Sequence, residues 1–92
     1  MTDYRILIEK TIEREIDVLG RDRAIKVAQD TEGIKVKDDG TVDNYVGDGK
    51  EQLGRIIEAY ADIASVARLI IKKELEPFFQ ENSDLEKPDV LK

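Results

Sequence analysis

The chain of 92 residues has no cysteine, no histidine and no tryptophan, and only one methionine and two prolines. Without cysteine there is no disulfide framework, no thiol nucleophile and no redox switch. Without histidine as well, a zinc site of the ordinary kind, a haem axial histidine and a Ser-His or Cys-His catalytic pair are excluded. The ligands that remain are carboxylate, carbonyl and hydroxyl oxygens, which suit Mg²⁺, Ca²⁺ or Mn²⁺. The only serines are Ser65 and Ser83, and neither sits in a nucleophile elbow. No run reaches the ~18 apolar residues of a membrane span, and the opening MTDYRILIEK lacks a basic stretch ahead of its apolar residues. A cytoplasmic protein without a cofactor is expected.

What is present is charge and aliphatic residues: 39% charged, 40% hydrophobic, 5% aromatic, with 15 basic against 21 acidic side chains and a net charge of −6. Residues 1–37 carry eight of each sign and balance; residues 38–92 carry seven basic and thirteen acidic residues and account for the whole excess. That balance argues against generic binding to nucleic acid or to anionic membranes. A chain this short buries only about two-thirds of its extended surface, enough for one modest core.

Thr2 or Asp3 can cap a first helix, in which Tyr4, Leu7, Ile8, Ile12, Ile16 and Leu19 recur at three- and four-residue steps. Glu9, Lys10, Glu13, Arg14 and Asp17 take its opposite face. Gly20 ends it, and Asp22 can cap a second helix with Ala24, Ile25, Val27 and Ala28 inward, closing at Gly33. The period then changes to two. Ile34–Lys37 and Thr41–Val46 read as a hairpin around Asp38-Asp39-Gly40. A three-residue loop with Gly40 in the left-handed position pairs Lys37 with Thr41, Val36 with Val42 and Lys35 with Asp43, which a two-residue turn would not.

Asp48 and Glu51 resemble a capping box opening a third helix from Gly49 to Phe79, with Leu53, Ile56, Ile57, Tyr60, Ile63, Ala64, Ala67, Ile70, Ile71 and Leu75 as its stripe. Pro77 should end or kink it. The polar remainder from Gln80 is expected to be disordered. This gives an α+β domain over residues 1–79, ordered α-α-β-β-α, and a tail over 80–92.

The third helix is too long for its domain. About 28 helical residues span roughly 42 Å, whereas a compact chain of this size has a radius of gyration near 12 Å and a diameter near 32 Å. Ala59, Ala61, Val66 and Leu69 are apolar yet off the main stripe. A homodimer through this helix resolves the mismatch, with Ala61, Ala64 and Ser65 small enough for close approach and Leu69 and Arg68 in the contact. Asp62 and Arg68 lie symmetrically about Ser65, so an antiparallel two-fold pairing sets Asp62 of one chain against Arg68 of the other.

Motifs for chemistry are incomplete. Val46-Gly47-Asp48-Gly49-Lys50-Glu51 stands where a phosphate loop would, but a Walker A loop needs Gly at 44 and Ser or Thr at 51, where Asn44 and Glu51 stand. Asp38, Asp39, Asp43 and Asp48 offer at most a weak cation site. EF-hand frames set on Gly40, Gly47 or Gly49 close on Val46, Leu53 or Arg55 rather than an acid. The carboxylate pairs Glu58 with Asp62 and Glu74 with Glu76 read as solvated faces. An enzyme is not expected. The expected function is a small non-catalytic oligomerisation or protein-interaction module. In element order, residues 21–46 resemble the end of a winged-helix domain, which implies DNA contact through Arg21, Arg23, Lys26, Lys35 and Lys37. A third reading is an apolar ligand pocket near Tyr45 and Tyr60.

Overall fold

The structure, a computed structural model, describes residues 3–91. Asp3 opens helix α1 (Tyr4–Leu19) by accepting the Ile6 amide at 3.1 Å; Thr2, the alternative cap, lies outside the described residues. Gly20, at φ 91°, both closes α1 and opens α2 (Arg21–Asp30). Asp22 therefore sits within the first turn of α2 instead of capping it. Leu7, Ile8 and Ile12 of α1 and Ala24, Ile25 and Ala28 of α2 are buried, as the apolar spacing requires. Val27 is half-buried.

Strands β1 (Ile34–Val36) and β2 (Val42–Tyr45) form a two-stranded antiparallel sheet. Val36 faces Val42, and Lys37 donates its amide to the Thr41 carbonyl at 2.9 Å, the register expected of a three-residue loop. Gly40 takes the left-handed position at φ 90°. One pairing differs: Lys35 meets Asn44, because the register shifts between Lys35 and Val36 and leaves Asp43 unmatched in a bulge. The bulge has a physical reason. Continued regular pairing would set Asn44 opposite the buried Ile34, whereas the extra residue brings Tyr45 there.

The long third helix is two helices. Asp48 caps α3 (Gly49–Ile63), accepting the Lys50 amide, and the chain then leaves helical geometry at Ala64 (φ −142°, ψ 111°) before α4 (Ala67–Glu81). Neither Gly nor Pro stands at the break; Ala64, Ser65 and Val66 make it. A straight helix would have run beyond a molecule whose extents are 33 × 26 × 19 Å, with a radius of gyration of 11.8 Å. Folding back instead lets Ala67, Ile71, Leu75 and Phe79 of α4 join Leu53, Ile56, Ile57 and Tyr60 of α3 in the core of the same chain. The mismatch of length and domain is thus resolved within one copy, and the dimer geometry built on a straight helix is lost with it.

Helix α4 runs through Pro77 to Glu81. Pro77 is exposed, so the carbonyl deprived of its amide partner lies near water, while Leu75 and Phe79 on either side are buried and hold the last turn. The segment read as a disordered tail returns across the fold and ends in a short 3-10 helix, Asp89–Leu91. Leu91 enters the core, and Leu85 and Val90 pack against it. Tyr4 fastens this return by donating its hydroxyl to the Glu86 carbonyl at 3.0 Å and accepting the Glu86 amide at 2.8 Å. The result is a mostly helical α+β fold in which α1 is flanked by α2, α3 and α4.

Candidate functional site

The residues expected to mediate self-association converge on the corner between α3 and α4. The corner is tightly bonded: the Ala64 amide donates to Tyr60, the Ala67 amide to Ala64 at 2.9 Å, and the Leu69 and Ile70 amides to Val66. Outward from it stand Ile63 (39% exposed), Val66 (51%) and Leu69 (60%). Asp62, Ser65 and Arg68 are also exposed. Ala61 and Ala64 are half-buried, and Ala64 packs against the core of its own chain, so its small size serves the close approach of α4 to α3.

A fourth exposed apolar side chain belongs to the same end of the molecule. Tyr4 lies against Gly49 at the starts of α1 and α3, and Glu15 is near Tyr60 further along both, so the two helices run the same way. The last turn of α1, with Val18 40% exposed, is therefore at the end where α3 gives way to α4.

Beneath this end is a polar group that sequence reasoning missed. Glu15 is fully buried, and neither carboxylate oxygen has a hydrogen-bond partner. Burial pushes its carboxyl above the ordinary carboxylate range, eased only by the neighbouring Arg14 charge. Tyr60, also fully buried, donates its hydroxyl to the Ala24 carbonyl at 2.7 Å. Burial first, and the nearby Glu15 carboxylate second, push the Tyr60 phenol far above its usual value. A signal for Glu15 existed in the sequence. It stands four residues after Thr11 and three after Ile12, inside the apolar stripe, where an acid has no solvated side to occupy. Thr11 is buried as well but donates its hydroxyl to the Leu7 carbonyl at 2.8 Å.

The other candidates do not assemble. Arg21, Arg23 and Lys26 are exposed on α2, and Lys35 and Lys37 on the hairpin, but acids are interleaved with them. Lys26 pairs with Asp30 at 3.6 Å, and Asp22 and Asp38 line the same shallow groove. A single residue, Gly20, joins α1 to α2, whereas a helix-turn-helix uses a turn of about three or four residues. Three of the four aspartates are engaged in local hydrogen bonds, and Asp43 is exposed on β2. Asp39 accepts both the amide and hydroxyl of Thr41, Asp38 accepts from Gln29, and Asp48 caps α3. The hydrogen bonds from Thr41 hold the Asp39 carboxyl below its usual range. Among the described residues no group of three or more acids is placed to hold a metal ion. Tyr45 lines an open groove of about 280 Å³ with Gly33, Ile34, Lys35, Asn44 and Val46, while Tyr60 lies in the core, so the two do not share a pocket wall. Among the described residues no helix is long and apolar enough to cross a membrane.

Comparison with protein-family models, with curated proteins and with solved structures gives no match. The functional reading therefore rests on these side chains alone.

Proposed function

We propose that the protein is a small non-catalytic interaction module that self-associates through the α3–α4 corner, with the start of its C-terminal helix at the centre of the contact. The observation that carries this reading is the outward row Ile63, Val66 and Leu69 on a firmly hydrogen-bonded corner, with Val18 exposed at the same end of the molecule. A mobile loop tip would ordinarily carry small or polar residues. Asp62 at the end of α3 and Arg68 at the start of α4 are exposed charges of opposite sign on either side of the apolar row.

The size of the patch sets the strength. Four side chains exposed to this degree offer a few hundred Å² of apolar surface, below the ~800 Å² per partner of a standard stable interface. Association is therefore weak and concentration-dependent. Leu69→Asp and Val66→Asp, each placing a charge in the contact, should keep the protein monomeric at concentrations where the parent chain associates, with helical content unchanged.

A further inference from the structure

The conspicuous unexplained group is Glu15. Its position on α1 follows Leu7, Ile8, Thr11 and Ile12 down the buried stripe, and the whole residue is solvent-inaccessible. An acid so placed is stable in water-free surroundings only with a cation or several donors, or in its neutral form. Among the described residues it has neither a cation nor a donor in contact. Both oxygens are buried without a hydrogen bond. Arg14, next along α1, extends to the surface and pairs with Asp17 at 3.8 Å. Tyr60 of α3 is close enough for its phenol to feel the carboxylate, but its proton is already given to the Ala24 carbonyl of α2. Among the described residues no charged group of α2 or α4 bears on Glu15; these helices bring Ala24, Ala28, Ala67 and Ile71 to the core.

We propose that Glu15 is a proton-operated switch: protonated, it lets the second half of α1 seat on α2, α3 and α4, and ionised, it loosens that seat at the end of the molecule that carries the corner. The geometry gives the direction. The carboxylate form must leave the core or draw water into it, and Ile16 to Leu19, the last turn of α1, has only Gly20 between itself and α2. A group whose folded form prefers the proton more than the unfolded chain does contributes its full stability at low pH and loses it as pH rises through the folded value. Linkage at Glu15 thus runs opposite to the usual acid denaturation of paired carboxylates. The inference does not depend on self-association, and the experiment is run on the monomer at low concentration.

The test compares the full chain with Glu15→Gln, an isosteric neutral side chain, from about pH 4 to about pH 9. The two should unfold alike at the acid end. With rising pH the parent should lose midpoint temperature relative to Glu15→Gln. Amides of residues 12–19 should lose protection in the parent by about tenfold for each pH unit of linkage, after correction for intrinsic exchange, and should hold it in the variant. Should the variant fold poorly, the ¹³C carboxyl shift of Glu15 in the parent decides alone: a midpoint above the ordinary carboxylate range is expected. Parallel stability curves for parent and variant, or a Glu15 carboxyl that titrates at the ordinary value, would overturn the switch.

Discussion

At the scale of single residues, the core is mostly aliphatic and its few polar members differ in how they are satisfied. Thr11 bonds within its own helix, Tyr60 bonds across to α2, and Gln52 donates to the Val46 carbonyl at 2.7 Å. Tyr60→Phe removes one neutral hydrogen bond without opening a cavity. A loss of about 1 kcal/mol in urea unfolding is expected, and an unchanged midpoint would show the bond to Ala24 to be energetically idle. Gly33 is a more demanding position. It holds φ 91°, and a Cβ there would stand 2.6 Å from Nε2 of Gln52, the atom bonded to Val46. Gly33→Ala therefore combines left-handed strain with the loss of a part-buried hydrogen bond, and about 2 kcal/mol or more of destabilisation should follow. Glu15 was not legible as a buried acid by its residue type, only by its phase in the stripe.

At the scale of elements, periodicity carried most of the information. The inward faces of α1, α2 and most of α3 and the Val36–Val42 pairing follow from the spacing of apolar residues, because burial selects one face and one register; Ile63, in phase with that stripe, faces outward instead, because the helix ends there. What the spacing did not contain was the break at Ala64. Helical periodicity continues across it, from Tyr60 to Ala67 and Ile71, and no residue there is a strong breaker. The break is imposed by tertiary packing, since only a folded-back α4 finds apolar partners along its length. Similarly, the polar composition of residues 82–91 concealed the few contacts that fasten them: Tyr4 to Glu86, Lys50 to Glu86 at 3.0 Å, and Leu91 in the core. Those contacts lead to a prediction for the element. Deleting the chain after residue 81 exposes the surface of α3 that Leu91 covers and frees Tyr4. The truncated protein should lose on the order of 3–5 kcal/mol, the worth of one buried Leu and two hydrogen bonds. Identical thermal unfolding of both forms would show the return segment to be a passive appendage.

At the scale of the whole molecule, length and composition bound the function. One modest core of aliphatic residues leaves little area for a second specialised surface, and the charged residues of α2 and the hairpin are of mixed sign. That mixture predicts no salt-sensitive retardation of duplex DNA, since acids interleaved with the basic residues offset the release of counterions from the phosphates. The absence of histidine has a further consequence. Between mildly acid and neutral pH the ordinary titrating side chain is missing, so a stability change in that interval would point to a perturbed carboxyl such as Glu15. The mismatch between a long apolar segment and a small domain is solved inside one chain, but the solution leaves a corner whose Ile63, Val66 and Leu69 face outward. Sedimentation equilibrium from roughly 10 μM to 1 mM, the range suited to a contact of this size, tests that claim most directly. The mass of the parent chain should rise from monomer towards dimer, and Leu69→Asp should remain a monomer throughout. A parent chain that stays monomeric at the highest concentration contradicts it.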